Sequence, residues 1–309
     1  MPQDRYYRPV VQSDPVRTAG AVSLAGGRYW FDRAEVLERG SSRGLIPARE
    51  VPTAVLGRLT EPRAPWATLS MDHARIMAVV NVTPDSFSDG GDHRNLDAAL
   101  RAAEAAVAAG ADILDIGGES TRPGAATVPV DVEINRIVPV IEALRARLDV
   151  PISVDTRKAP VAKAALAAGA AMLNDVSAGT YDADMLPLAA ASGAPICLMH
   201  AQGDPATMQK DPSYDDVLLD VYDNLADRIA AAEAHGIPRH QIIVDPGIGF
   251  GKTLTHNLRL LNNLSLFHGL GCAILLGVSR KRFIGTIGAA PTTCPTTAGV
   301  ALPGKGRTA

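Results

Sequence analysis

The sequence predicts an α/β fold, a (β/α)8 TIM-type barrel with an N-terminal extension. Two observations predict it. From residue 75 onward, short apolar runs alternate with longer Ala-rich segments, and the polar residues fall at or near the ends of those runs. Continuous Ile/Val/Leu runs of four to eight residues fit strands buried on both faces of a parallel sheet. Seven consecutive βα units favour a barrel over a doubly wound sheet. The register of polar residues favours it too: Asn81, Asp115, Asp155, Asn174, Asp175, His200, Asp245 and Ser279 all lie near strand C-termini, which in a barrel ring a single mouth. In an open sheet only those at the switch point would meet.

The elements follow in order. Residues 1–72 hold many of the aromatics and prolines and show little periodicity, and they read as an extension packed on the main domain. Within them, 22–24 and 28–31 read as short strands, and 34–39 and 51–59 as short helices. Tyr29, Trp30, Phe31 and Trp66 argue for packing, because such rings are costly to leave exposed. Residues 73–288 form the barrel domain, with strands at 76–82, 113–118, 152–156, 172–176, 195–200, 242–246 and 273–278. Helices are expected at 96–109, 131–148, 159–168, 182–191, 214–235 and 255–264. Gly110, Gly169, Gly193 and Gly236 stand where helices commonly stop. Residues 289–309 form an atypical tail with no helical period.

Bulk properties narrow the function. The 309 residues are 47% hydrophobic, enough for one large barrel. A net charge of −3 with no long basic run disfavours nucleic-acid binding. Cys197, Cys272 and Cys294 are far apart and suggest neither a disulfide framework nor a zinc site, in keeping with a reduced, cytoplasmic setting. The N-terminus has no apolar stretch of signal-peptide type. No apolar run approaches the ~20 residues that span a bilayer.

Several segments carry chemistry. The first loop, 81–91, is long for a βα loop and rich in turn-formers, which suits a lid. Asn81 offers an amide oxygen, a hard ligand suited to magnesium, though an Asn after a strand is often a cap. Loop 117–124 reads GGESTRPG, and its hydroxyls and Arg122 suit an anion. Asp155, Asn174 and Asp245 follow three different strands, and together they suit a flat heterocycle with an amino-pyrimidinone edge. The cations of 279–282 suit a diphosphate or carboxylate. His200 is expected to support the site rather than react. The glycine-rich stretch 247–253 is not a nucleotide loop, because a Walker A spacing would need glycine at Pro246. Ser279 lacks the context of a nucleophile elbow.

Taken together, NVTPDSFSDGG (81–91), GGESTRPG (117–124), SVDTRK (153–158), NDV (174–176), MHAQG (199–203), VDPGIGFGK (244–252) and GVSRK (277–281) resemble the dihydropteroate synthase family in order and spacing. The resemblance covers about two-thirds of the chain. It implies condensation of 6-hydroxymethyl-7,8-dihydropterin diphosphate with 4-aminobenzoate, releasing diphosphate, and inhibition by sulfonamides. It implies Mg2+ as cofactor, held on the diphosphate by Asn81. Thr121 and Arg122 would act at the diphosphate and aminobenzoate side. Asp155, Asn174 and Asp245 would grip the pterin, and Lys281 would hydrogen-bond its ring. Phe87, Met199 and Phe250 would line the pocket, and Ser279 would contact the second substrate. Asp155, Lys281 and Arg122 are the residues expected to carry catalysis. The expected partners are these two small molecules, with neither nucleic acid nor membrane, and the resemblance leaves room for a homodimer.

The tail departs from that family, which ends in an eighth strand with an Arg-x-His motif and a last helix. Here residues 289–309 read AAPTTCPTTAGVALPGKGRTA, so the eighth βα unit is expected to be missing or altered, as a truncated or frameshifted reading frame would make it. Two readings compete with the transferase. One is a non-catalytic pterin-binding protein that lost the terminal strand. The other is a methyltransfer domain serving a corrinoid partner, which the SRK segment and full first loop disfavour.

Overall fold

The computed structural model describes residues 4–83, 92–120, 127–203, 212–279, 281 and 284, with the backbone alone for 92–95. The extension comes first. Strands β1 (Tyr6–Pro9), β4 (Arg33–Glu38) and β5 (Ser41–Pro47) form an antiparallel sheet in the order β1-β4-β5, while β2 (Val22–Ser23) pairs with β3 (Trp30–Phe31). Helix α1 spans Thr53–Thr60. The stretch 34–39, expected to be helical, is strand β4. Its helix-forming composition is overridden by pairing on both sides, and by an alternation that buries Ala34 and Val36. Leu24, Phe31, Ala34, Ala48, Val51 and Leu59 form this segment's own small core.

Ties of several kinds dock the extension on the barrel. Tyr6, 1% exposed, donates to both carboxylate oxygens of Asp223 at 2.9 and 2.7 Å, and its ring meets Tyr222 edge-on at 5.4 Å. Arg39 pairs with Asp220 at 2.6 Å, and Arg58 Nε donates to the Gly269 carbonyl at 2.7 Å.

The barrel sheet holds seven parallel strands among the described residues: β6 (Met77–Asn81), β7 (Ile113–Gly117), β8 (Ile152–Asp155), β9 (Met172–Asp175), β10 (Ile196–Met199), β11 (Ile242–Asp245) and β12 (Ala273–Ile274). They neighbour one another in strict chain order, from β6 at one edge to β12 at the other. The helices between them are α2 (Asp92–Ala108), α3 (Val130–Arg145), α4 (Ala159–Ala167), α5 (Met185–Ser192), α6 (Val217–Ala234) and α7 (Leu254–Asn262). Every run and helix expected within residues 73–288 is present. Helix α6 starts later than expected because Asp216 caps it, accepting from the backbone N–H of Leu218 and Leu219. Residues 285–309, where an altered eighth unit was expected, lie outside the described residues.

Alternation along the strands sorts side chains into two cores. The outward set packs against the helices in one large cluster that includes Leu114, Ile116, Val154, Leu173, Ile196 and Val244. The inward set closes the N-terminal end of the barrel. There Trp66 packs with Met77, Ile113, Met172, Cys197, Ile243, Ala273 and Leu275. Two residues further along β7, β9 and β11 the interior presents Asp115, Asn174 and Asp245, and that step positions the site.

Candidate functional site

Strand register brings the inward polar residues to one level. Asn81 pairs with Gly117, Gly117 with Asp155, Asp155 with Asn174, and Met199 with Asp245. Gly117 opens the space between its neighbours. A Cβ there would lie 3.4 Å from both Asn81 Oδ1 and the Asp155 Cβ. Asp115, two residues earlier on β7, sits one layer deeper, and its Oδ2 accepts from Asn174 Nδ2 at 3.0 Å. Asp175, next along β9, points the other way: its carboxylate accepts from Ser177 and Gly179 and shapes the loop after the strand.

The far side of the mouth is cationic. Asp245 is buried, and its Oδ1 accepts from Gly247 N at 2.7 Å. Gly247 is required there, because its φ is +66° and a Cβ would sit 1.8 Å from the His200 carbonyl oxygen. Lys281 Nζ donates to the Ile248 carbonyl and lies 4.7 Å over the Phe250 ring. Lys252, 4% exposed, reaches His200 Nδ1 at 2.9 Å and the Phe250 carbonyl at 2.9 Å. Met199 is buried, and Ser279 is half-buried just beyond β12. A cleft lined by Met199, Phe250, Arg157, Ser177 and Arg228 adjoins the mouth.

Burial under like charges sets the electrostatics. Asp155 is held well above the usual carboxylate range, first by burial and then by the nearby carboxylates of Asp115, Glu133, Asp175 and Glu119. Burial also raises Asp245, against the pull of Lys281, the Gly247 N–H and Lys252. Burial lowers Lys252 to about 7, with Asp245 opposing and Lys281 adding to the shift. His200 falls to about 3 through burial and the neighbouring Lys252, so it stays neutral and can accept from the Lys252 amine.

A second buried network supports the loops from behind. Lys158 Nζ donates to Glu119 Oε2, Glu133 Oε2 and the Val128 carbonyl, each at 2.6 Å. Arg157 Nε donates to Glu119 at 2.9 Å, and its guanidinium stacks 4.0 Å from the Tyr181 ring centre. Thr156 Oγ1 donates to Glu133 at 2.8 Å. Sequence reasoning missed this network and the Lys252–His200 pair. The one available signal was the presence of charged residues next to strand ends inside the glycine-rich loop 117–124 and the segment 153–158.

Asp155, Asn174, Met199, Asp245, Phe250, Lys281 and Asn81 thus surround one mouth, with Ser279 at its rim. Thr121, Arg122 and Phe87 lie outside the described residues. Parallel strands in chain order, with buried carboxylates, an amide and lysines at their C-terminal ends, define an α/β-barrel protein with its site at that mouth.

The chain belongs to the pterin binding enzyme family, whose profile matches residues 77–301. It is 46% identical over 224 residues to the dihydropteroate synthase of Escherichia coli strain K12, covering 72% of this chain and 79% of that protein. It is 50% identical over 240 residues to a probable bifunctional folylpolyglutamate synthase/dihydropteroate synthase of Haloferax volcanii, covering 77% of this chain but only 28% of that longer protein. Among solved structures it resembles Xanthomonas albilineans dihydropteroate synthase with 4-aminobenzoic acid, at a TM-score of 0.68 and 47% identity over 72% of this chain and 79% of that one. The same enzyme in complex with 7,8-dihydropteroate matches at a TM-score of 0.66 and 44% identity, over 74% and 82% of the two chains.

Proposed function

We infer that this chain is a transferase of folate biosynthesis: it joins 6-hydroxymethyl-7,8-dihydropterin diphosphate to 4-aminobenzoate, giving 7,8-dihydropteroate and diphosphate. The observation that carries the inference is the convergence of Asp155, Asn174, Asp245 and Lys281 on one mouth in a chain that shares 46% identity with a dihydropteroate synthase.

The chemistry follows from the charges. The C–O bond to the diphosphate breaks with its electron pair leaving on oxygen, and positive charge develops on the ring-conjugated methylene. The arylamine nitrogen attacks that carbon and loses a proton. Asp155 and Asp245 face this developing cation from a desolvated site, where fixed charges act more strongly than in water. No protein nucleophile is needed. Lys281, held beside Asp245 and over Phe250, is placed to hydrogen-bond the ring.

Magnesium, Thr121 and Arg122 belong to the same proposal. Asn81 places an amide oxygen beside Gly117 and Asp155 at the rim, which fits a metal that takes few protein ligands and completes its shell from substrate phosphate and water. When bound, the ion would offset charge on the leaving diphosphate. A homodimer, a cytoplasmic location and the boundaries at residues 72 and 288 are further parts of the proposal. Light scattering, cell fractionation and limited proteolysis test them in turn. Among the described residues no helix is long and apolar enough to cross a membrane.

The test is a diphosphate-release assay with purified protein, both substrates and magnesium. Release should require 4-aminobenzoate, and a sulfonamide should raise the apparent KM for 4-aminobenzoate without lowering kcat. Tight pterin binding with no diphosphate released would instead favour the non-catalytic reading.

A further inference from the structure

Asp115 is 2% exposed in the middle of β7, and the chemistry above makes no use of it. Its Oδ2 accepts from Asn174 Nδ2 at 3.0 Å, across the intervening strand β8. Asp115 is in register with Ser153, and Asn174 with Asp155, so the bond runs from the level of the mouth to the layer beneath it. The other oxygen, Oδ1, makes no hydrogen bond of normal geometry among the described residues, and only the Ser153 hydroxyl, its register neighbour, eases its burial. Such an arrangement is a poor way to stabilise a fold, because a buried carboxyl with an unmet oxygen costs desolvation energy that an apolar side chain would avoid.

The arrangement does fix an orientation. An amide can turn either its nitrogen or its oxygen toward a neighbour, whereas an ionised carboxylate can only accept. Here Asp115 Oδ2 accepts from the nitrogen. The Asn174 main-chain oxygen accepts from Thr156 N at 3.2 Å, whereas its side-chain oxygen Oδ1 takes no donor among the described residues. We propose that Asp115 is a positioning residue: by holding Asn174 Nδ2 it presents Asn174 Oδ1 as an acceptor for a ring N–H of the dihydropterin. This rests on the pterin-site reading given above. It makes Asp115 a determinant of which heterocycle edge the site accepts, without touching the ligand itself.

Asp115→Asn tests this, since it keeps the shape but lets the Asn174 amide face either way. Calorimetry with 6-hydroxymethyl-7,8-dihydropterin should show binding weakened by about tenfold, roughly the worth of one hydrogen bond to a buried polar group. The melting temperature should be no lower than the parent's, and the KM for 4-aminobenzoate at saturating pterin diphosphate should stay within about twofold. In an Asn174→Ala background the same substitution should add almost nothing, because the amide it orients is gone. Binding within twofold of the parent would overturn the proposal. So would an undiminished effect in the Asn174→Ala background. A variant that melts well below the parent would overturn it as well, since Asp115 would then serve the fold. If the parent binds no pterin, or Asn174→Ala leaves binding unchanged, the pterin-site reading itself fails.

Discussion

Asp245 and Asp155 face the mouth from opposite sides, but their surroundings differ. Lys281, Lys252 and a backbone N–H surround Asp245, whereas further carboxylates surround Asp155. Removing either one leaves donors of a bound pterin unpaired, which costs about 1–3 kcal/mol. Asp155→Ala and Asp245→Ala should each weaken pterin binding by that amount in calorimetry. Parent-like binding by both would remove the pocket assignment. A separate residue-scale effect concerns pH. His268 is buried beside Arg63, and the two effects, burial first, lower its pKa to about 3. Between pH 6.5 and 3 the unfolded chain binds a proton there that the native chain does not. This site's contribution is thus fully present above about pH 6.5 and is lost as pH falls toward 3, by at most about 1.4 kcal/mol per unit. Urea midpoints of the parent and His268→Phe, measured from pH 7 to 4.5, should diverge in the variant's favour as pH falls. A gap that stays constant with pH would refute the assignment. Of the site itself, Asp155, Asn174 and Asp245 were legible because each stands at or near a strand's C-terminal end, Lys281 because it sits in a cationic run after the seventh one, and Met199 only through the resemblance. The Asp115–Asn174 bond was not, since it joins residues 59 apart in sequence through a register that only the folded sheet defines.

At the scale of elements, Lys158 ties three segments together: the loop after β7 through Glu119, the start of α3 through Glu133, and the strand end of β8 on which it sits. All three charges are buried, with Lys158 4%, Glu119 8% and Glu133 1% exposed. Lys158→Met would leave the buried Glu133 with no cation and Glu119 with Arg157 alone. A loss of about 3–5 kcal/mol in denaturant unfolding is expected, with activity falling alongside because the loop next to Gly117 loses its anchor. A variant within 1 kcal/mol of the parent would show that Arg157 alone neutralises the cluster. The seven barrel strands were readable because burial on both faces writes a continuous apolar run. Strand β4 was not. Arg33–Glu38 consists of good helix formers, and only its two sheet neighbours make it extended. The available hint was Arg39–Gly40, a two-residue connection between alternating segments, where Gly40 adopts a φ of +79°.

At the scale of the whole molecule, the seven described barrel strands neighbour one another in chain order, so each βα unit adds one strand end to the same rim. That regularity is why the fold and the placement of the site could be read together. The loops that complete the site carry no such period, and their chemistry was legible only through resemblance.

The apolar plug built on Trp66 has a kinetic consequence. Trp66 is wedged among Met77, Ile113, Met172 and Ile243 and fills the N-terminal end between the described strands. A pterin held by Asp155, Asn174 and Asp245 as proposed would lie deeper than a second ligand near the half-buried Ser279. That placement predicts a queue: the pterin diphosphate should enter before 4-aminobenzoate, and with both in place the inner one should not leave first. Isotope trapping should show pterin diphosphate in the binary complex committed to product by a chase of excess 4-aminobenzoate, while prebound 4-aminobenzoate should wash out. Equal trapping of both substrates would mean that the inner chamber has a second way in.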